Sequence, residues 1–125
     1  MTWSIDKEFH FSASHQLEGL PEGHQCGRLH GHNYIVRVQL ESEVLDGVGF
    51  ILDYAALAPI KRLIDDTLDH RHLNDALGAE LGNTTAEKMA WWLAQEAGTL
   101  LDLPDHVRVS VGVSETPKTW AWWRP

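Results

Sequence analysis

Length, composition and charge together exclude several classes of protein for this chain. It has 125 residues, 43% hydrophobic and 22% charged, which fits one soluble globular domain over residues 1–125. No stretch approaches the ~20 consecutive apolar residues that cross a bilayer, and the first residues lack the basic and then apolar order of a signal peptide. A formal net charge of −8 argues against nucleic acid as a partner. The single cysteine excludes an intramolecular disulfide and favours a reducing cytoplasm.

The first half of the chain predicts two strands and a helix. Apolar and polar residues alternate over Trp3–Phe11, which predicts a strand, and the glycine-rich residues 17–29 predict a loop. Strict alternation predicts a second strand over Tyr34–Glu41. After a turn, apolar residues at helical spacing predict a helix that ends at about Thr67.

The second half predicts a loop, a helix and two more strands. Residues 68–83 are expected to form a long loop, and a helix is expected over 84–100, with its start at either of two threonines. Alternating valines predict a strand over Val107–Val113, and a turn leads to a last strand over Lys118–Arg124. The order ββααββ predicts an α+β fold, in which an antiparallel four-stranded sheet packs both helices on one face.

Six tryptophans are many for a chain of this length, and they predict an oligomer. The pair Trp91–Trp92 and the cluster at 120–123 cannot all enter one small core, so some of them are expected at a subunit interface. The second face of the sheet is also expected to contain large apolar side chains. A sheet with two apolar faces needs a partner, and closure of several copies into a barrel would remove its free edges.

A short histidine-rich segment is the strongest sign of chemistry in the chain. The string Cys26-Gly-Arg-Leu-His30-Gly-His32 supplies a thiol and two imidazoles, and His15 lies upstream. Residues i and i+2 of a strand share a face, so His30 and His32 can aim at one ion. Three histidines with an open fourth position are typical of catalytic zinc, whereas structural zinc sites close with four ligands. The pattern predicts a metal site at His15, His30 and His32.

Two alternatives stay open around this metal site. His24 in the loop is the leading alternative ligand and His10 is the next, although His10 and His15 fall on opposite faces of a regular strand. Cys26 is predicted to act in catalysis, because a nearby cation favours the reactive thiolate form. The thiol could instead be a fourth metal ligand, which would close the site and argue against catalysis.

Three carboxylates have both a functional and a structural interpretation. Asp69 can orient His70, as in acid–base relays, or it can cap a turn, and His72 is the alternative imidazole. Glu115 follows a valine-rich strand at a hairpin tip, and its spacing alone favours a solvated turn. Glu87 lies three residues after a threonine at the predicted helix start, which is the spacing of a structural capping box.

Together and in this order, the motifs resemble the 6-pyruvoyl-tetrahydropterin synthase and 6-carboxytetrahydropterin synthase family over nearly the whole chain. The matching segments are Phe11-Ser-Ala-Ser-His15, Cys26-Gly-Arg-Leu-His-Gly-His32-Asn-Tyr, Gly49-Phe-Ile-Leu-Asp53-Tyr, Leu68-Asp-His-Arg-His-Leu-Asn74, Asn83-Thr-Thr-Ala-Glu87 and Ser114-Glu-Thr116. Thr84 departs from the proline common at its position. The resemblance implies the tunnelling fold and trimers whose sheets close into a barrel. It also implies that two such trimers pair to form a hexamer.

The resemblance also implies a role for each site residue. It implies three zinc ligands, His15, His30 and His32. It implies three catalytic residues that move protons, Cys26, Asp69 and His70. It implies a substrate-binding group, Glu115, Thr85 and Glu87. In this group the carboxylate of Glu115 anchors the amino-pyrimidine edge of a pterin by two parallel hydrogen bonds, which replaces the solvated-turn interpretation. We expect Glu115 to lie far from the metal, at the opposite end of the substrate.

The short gap between Cys26 and His30 resembles the bacterial 6-carboxytetrahydropterin synthases of the queuosine pathway. The implied reaction converts 7,8-dihydroneopterin triphosphate to 6-carboxy-5,6,7,8-tetrahydropterin, acetaldehyde and triphosphate, with zinc as the cofactor. A lyase that forms the 6-pyruvoyl product is the second hypothesis. A non-catalytic module that binds zinc or a pterin is the third, and the joint presence of Cys26, Asp69 and His70 argues against it.

Overall fold

Five strands and three helices form the fold, which a computed structural model describes over all 125 residues. In chain order the elements are β1 (Trp3–His15), β2 (His30–Ser42), α1 (Ala58–Thr67), β3 (Arg71–His72), α2 (Leu73–Leu81), α3 (Ala86–Leu100), β4 (Arg108–Thr116) and β5 (Thr119–Trp123). The four longer strands and the helices α1 and α3 lie where the sequence predicts them, although β1 and β2 extend further toward the histidines than predicted, and β4 extends through Glu115, which is predicted to lie in the turn. None of the helices combines the length and the apolar character that crossing a bilayer requires.

The sheet is mixed, with strand order β3-β1-β2-β4-β5. The four longer strands pair antiparallel, and β3 pairs in parallel with β1 only through Ala13–Arg71 and Ser14–His72. The predicted four-stranded antiparallel sheet with two helices is therefore wrong in its count of elements. The α+β class is confirmed, with a five-stranded sheet and three helices.

The predicted loop before α3 contains both of the additional elements. α2 buries Leu73, Leu77 and Leu81, which recur every four residues along one side of the helix. β3 forms because the backbone after α1 returns along β1, where the His70 N–H donates to the Ser12 carbonyl oxygen at 2.7 Å. His70 has a φ of 58°, a left-handed conformation that is uncommon for residues other than glycine.

One face of the sheet forms the core with the helices. Alternate side chains of β1, β2 and β4 point to this face and are buried, as the strand period of two requires. Phe11 stacks on Tyr34 there, with ring centroids 4.7 Å apart. The buried apolar residues of the sheet and the helices form one cluster of 25. At one end of the same face the apolar series of β1 and β2 is replaced by histidines, so the core packing fixes where the imidazoles lie.

The opposite face of the sheet is more polar than predicted. Arg37 pairs with Glu8 and stacks on Trp120, with its guanidinium 4.7 Å from the ring centroid. Arg124 stacks in the same way on Trp122 at 4.6 Å. These two tryptophans lie outside the core, as expected from their number; they stack on each other, with ring centroids 6.1 Å apart, and each also stacks with one arginine.

Both edges of the sheet have free backbone groups. β3 covers only two residues of β1, and β5 has a strand partner on one side only. Unpaired strand edges are templates for pairing with another chain.

Candidate metal centre and active site

Three histidines meet where β1 ends and β2 begins. The antiparallel register pairs His15 with His30 and places His32 opposite Ala13, so all three imidazoles project from the core face. Their ring nitrogens offer one ligand atom each, and these atoms lie within 4.8 Å of one another. Gly31, between the two β2 histidines, allows the close approach of β1, because a Cβ there would lie 3.3 Å from the Ala13 carbonyl oxygen.

Backbone carbonyls orient two of the three rings. His15 Nδ1 donates to the Thr84 carbonyl oxygen at 2.9 Å, and His30 Nδ1 donates to the Arg28 carbonyl oxygen at 2.7 Å. A carbonyl oxygen can only accept, so each Nδ1 holds the proton and each Nε2 keeps its lone pair. This is the tautomer that a metal-binding imidazole needs: Nε2 is free to bind the ion, and the N–H of Nδ1 is held by a backbone carbonyl.

The third ring supplies the test of whether a metal fits. His32 Nε2 is buried and has no hydrogen-bond partner. The nearest carboxylate, that of Glu115, has an oxygen 3.6 Å away, which is too far for a hydrogen bond. A buried nitrogen without a partner is costly in free energy, and a cation bound among the three nitrogens would satisfy it. The residues therefore fit a bound metal ion.

Burial keeps these imidazoles in the neutral form that binds metal. Removal of His15 from water is the main cause that lowers its pKa to about 4; the hydrogen bond to the Thr84 carbonyl opposes this shift, and the neighbouring histidines add smaller decreases. Burial also lowers the pKa of His32, against the opposing effect of the Glu115 carboxylate. Near neutral pH both rings are free of the extra proton that would compete with a cation.

Cys26 lies in the loop between β1 and β2, the two strands that carry the three histidines. It occupies a single 3₁₀ turn, Gln25–Gly27, and its side chain is half-buried. Its N–H donates to His24 Nδ1 at 3.1 Å, and its carbonyl oxygen accepts from the Leu17 N–H at 3.1 Å. The group of potential ligands contains the three histidines and not the thiol. The geometry thus gives no support to Cys26 as a fourth ligand.

A cavity of about 440 Å³ brings together the three residues expected to bind substrate. Its walls come from the start of α3 and from the β4–β5 hairpin, and its lining includes Thr85, Glu87, Glu115 and Trp120. Glu115 is only 27% exposed and lies next to His32, so the solvated-turn interpretation is wrong for its position. The expectation that Glu115 lies far from the metal is also wrong.

The helix start differs from the predicted capping box. Thr85, not Thr84, is the N-cap of α3, and its hydroxyl accepts from the Lys88 N–H at 3.3 Å. Glu87 is then the second helical residue rather than the third, where no reciprocal capping bond forms. Its exposed carboxylate faces the cavity and not the backbone that a capping box would satisfy.

Asp69 and His70 form a pair at the outer edge of β1. One Asp69 oxygen lies 3.0 Å from His70 Nδ1 and accepts from the Ser12 N–H at 3.0 Å. The Ser12 N–H, followed by the interaction with His70, lowers the pKa of Asp69. The His70 side chain is 83% exposed. Ser12 precedes His15 by three residues, so the pair lies about 10 Å along β1 from the histidine group.

The alternative histidines do not join the metal group. His10 lies on the opposite face of β1, as expected, and His24 is occupied with the Cys26 N–H. His72 Nδ1 lies 3.0 Å from the Ser14 hydroxyl. The carbonyl oxygens of Thr84 and Arg28, which support two of the ligands, could not be predicted from the sequence, because any residue type can supply a backbone carbonyl.

Comparison with solved structures identifies the class of protein that this fold and site define. The structure of Caenorhabditis elegans 6-pyruvoyl tetrahydropterin synthase matches with a TM-score of 0.84 and 27% identity, covering 100% of this chain and 96% of that chain. The fold is therefore that of the tetrahydropterin synthases.

Sequence comparison gives the family. Residues 4–125 match the family model described as 6-pyruvoyl tetrahydropterin synthase. A Synechocystis protein named 6-carboxy-5,6,7,8-tetrahydropterin synthase is 41% identical, covering 77% of this chain and 78% of the relative. A Bacillus subtilis protein of the same name is 29% identical, covering 99% of this chain and 86% of the relative. The chain belongs to the 6-pyruvoyl tetrahydropterin synthase family and is an enzyme, a lyase.

Proposed function

We propose that this enzyme is a zinc-dependent lyase of queuosine biosynthesis, acting in the cytoplasm. It converts 7,8-dihydroneopterin triphosphate and one water molecule to 6-carboxy-5,6,7,8-tetrahydropterin, acetaldehyde and triphosphate. The observation that supports this proposal most is the group of three histidines beside the cavity that contains Glu115. The 41% identity to a relative named for the 6-carboxy product supports the choice of reaction.

Mass analysis of the products tests the proposed reaction. The zinc-loaded protein is incubated with 7,8-dihydroneopterin triphosphate, and the pterin product and acetaldehyde are identified. The expected pterin has lost the two outer carbons of the side chain as acetaldehyde. A 6-pyruvoyl product without acetaldehyde would support the second function, which the name of the C. elegans structural neighbour favours. Binding of the substrate without turnover would support the third function, a non-catalytic module that binds zinc or a pterin.

Zinc is proposed at His15, His30 and His32, through the Nε2 atoms that the carbonyl contacts leave free. When bound, it would act as a Lewis acid toward the hydroxyl groups of the substrate side chain. The three imidazoles would hold the ion beside the cavity, where Glu115 has an oxygen 3.6 Å from His32 Nε2. The fold excludes water from His15, which is fully buried, and the half-buried Cys26 thiol of the adjacent loop is the group proposed to move a proton.

Replacement of Cys26 by alanine should separate catalysis from metal binding. We expect turnover to fall by roughly 10²-fold or more, the range for loss of an acid–base group, with zinc content and fold unchanged. Steady-state kinetics and metal analysis of the same preparation measure both quantities. Loss of zinc from Cys26→Ala would show that the thiol is a ligand and that its proposed role is wrong.

Glu115 is the proposed anchor for the ring of the substrate, with Thr85 and Glu87 on the opposite wall of the cavity. A carboxylate can accept two parallel N–H bonds from an amino-pyrimidine edge, as it does from a guanidinium. These contacts exist in the ground state and in the transition state alike, so they contribute uniform binding.

Glu115→Gln should therefore raise KM more than it lowers kcat. Glutamine keeps the shape but presents a donor where an acceptor is needed, which should cost on the order of 1–3 kcal/mol in binding. Because the carboxylate lies 3.6 Å from His32 Nε2, zinc binding should weaken as well, and kinetics must be measured at saturating zinc. Glu43→Gln, an exposed carboxylate elsewhere, is the control. An unchanged KM and an unchanged affinity for pterin would show that Glu115 does not bind the substrate ring.

The position of Asp69 and His70 supports an assembly of several copies. All of their hydrogen bonds are with each other or with the backbone of β1 and α1, and none reaches the histidine group of the same chain. If this pair moves protons in the reaction, a second copy must bring its β1 edge to the metal site of the first. We propose that the active site combines the metal and Cys26 of one chain with Asp69 and His70 of another.

The free edges of the sheet support the same assembly. One edge is formed by β1 before Ala13 and the other by β5, so copies can pair head to tail, and such pairing gives a closed ring where the rotation between copies closes. We propose trimers whose sheets close into a barrel, with paired trimers as the larger assembly.

Sedimentation at micromolar protein concentration measures the assembly directly. We expect a mass that is a multiple of three chains, the ring size that the family resemblance implies, and closure of this ring would satisfy all the free edges at once. Raising the salt concentration should leave the species intact, since main-chain pairing is not screened by ions. A monomer at this concentration would contradict the barrel.

A further inference from the structure

Thr84 contacts the most buried of the three proposed ligands with two oxygen atoms. Its carbonyl oxygen accepts from His15 Nδ1 at 2.9 Å, and its hydroxyl oxygen lies 3.3 Å from the same nitrogen. Thr84 is fully buried, and this ring is the only hydrogen-bond partner of its hydroxyl. A buried hydroxyl committed to one nitrogen of a ligand points to a role at the metal site rather than in the helix, whose N-cap is the next residue.

The proton count on His15 shows what the hydroxyl does. A neutral imidazole has one N–H, and the carbonyl of Thr84 can only accept, so that N–H is on Nδ1. The hydroxyl oxygen must therefore be a second acceptor of the same N–H, which then makes a bifurcated hydrogen bond to both Thr84 oxygens. If it donated to Nδ1 instead, it would favour the opposite tautomer, in which Nε2 holds a proton and cannot bind a metal.

His15 also differs from the other two ligands in the origin of its support. His30 is oriented by the carbonyl of Arg28, two residues away, and His32 has no hydrogen bond on its Nε2. The carbonyl that supports His15 comes from 69 residues along the chain, just before α3, and the Tyr34 hydroxyl lies 3.4 Å from the same Nδ1 and 3.5 Å from Nε2. The orientation of this ligand thus depends on the docking of α3 against the end of β1.

We propose that Thr84 is a positioning residue for the metal, whose hydroxyl and carbonyl oxygens together hold the Nδ1–H tautomer of His15 and aim its Nε2 at the ion. The proposal rests on the proposed zinc site. Partners of this kind typically contribute 10- to 100-fold to metal affinity. The hydroxyl, as the longer of two contacts, should contribute at the lower end of this range.

Thr84→Val tests the hydroxyl, because valine keeps the shape and the backbone carbonyl. The dissociation constant for zinc is measured by competition with a chromophoric chelator. We expect it to rise about 10-fold in Thr84→Val and to return close to the wild-type value in Thr84→Ser, which restores the hydroxyl. Thr99→Val, at an exposed threonine of α3 that bonds only the Gln95 carbonyl, is the matched control and should bind zinc normally.

A second measurement, on the metal-free protein, separates this inference from the zinc proposal. The Nδ1–H resonance of His15 is followed by nitrogen-15 NMR, and it should shift or broaden in Thr84→Val but not in Thr84→Ser. If the valine variant does not fold, Thr84→Ala replaces it in both measurements. An unchanged zinc affinity together with an unchanged resonance would overturn the role of Thr84. If the wild-type protein binds no zinc, the zinc site is wrong, and the resonance alone decides whether Thr84 positions His15.

Discussion

Replacement of His30 and His32 together by alanine is expected to reduce bound zinc from about one ion per chain to almost none. Both rings are only partly buried, so their removal leaves no large cavity in the core. Two of three ligands are lost, and a single remaining imidazole cannot hold the ion at micromolar concentration. Metal analysis after dialysis against a weak chelator measures the effect, and turnover should be lost with the metal.

Single replacements of other histidines provide the controls. His24→Ala and His10→Ala should keep their zinc, because neither ring belongs to the group of three. His24→Ala is informative for metal only, since its ring accepts from the Cys26 N–H and its loss can disturb the thiol. Full zinc content in the double variant His30→Ala/His32→Ala would show that the ion binds elsewhere and that the assignment is wrong. His15 is the poorer choice for this test, because its buried ring also contacts Thr84.

The strands and two of the helices could be predicted because their burial pattern is local. In β2, for example, every second residue from Tyr34 to Leu40 is buried, and this period is visible in the sequence. The ends of β1 and β2 were missed by four residues each, since serine, glycine and histidine have little strand propensity of their own. These segments are strands because they pair with each other, which is a tertiary effect.

The segment 68–83 shows the opposite case. Leu73, Leu77 and Leu81 do recur at helical spacing, and this signal was available. It was obscured by Gly78 and by polar residues at the helix start, which have low helix propensity. No signal existed for β3, because two residues become a strand only where β1 offers them a partner.

The residues of the candidate site could be named from the sequence, but their arrangement could not. The spacing of His30 and His32 determines that they share a strand face, and the β1–β2 register then adds His15. Nothing in the sequence places Glu115 beside His32, because β4 reaches β2 from the far end of the chain. The same holds for Asp69 and His70, whose location at the sheet edge follows from the return of the backbone along β1.

This location leads to the prediction that separates one-chain from two-chain active sites. Cys26→Ala and His70→Ala should each lose roughly 10²-fold or more in turnover, as acid–base groups do. In an oligomer where His70 of one chain serves the metal site of its neighbour, mixing the two inactive variants restores some complete sites. A site is complete only when two conditions are met. The chain that binds the metal must still have Cys26, and the neighbouring chain must still have His70.

Coexpression of the two variants at equal levels should therefore recover activity to about a quarter of the wild-type value, the fraction of complete sites in a randomly assorted ring. Native mass spectrometry must first show that mixed oligomers form. The control is coexpression of Cys26→Ala with the double variant Cys26→Ala/His70→Ala, in which no site has a thiol, and which should stay inactive. Mixed oligomers without recovered activity would mean that Cys26 and His70 act within one chain. In that case the edge position of His70 would have to change when substrate binds, because its imidazole is 83% exposed in this structure.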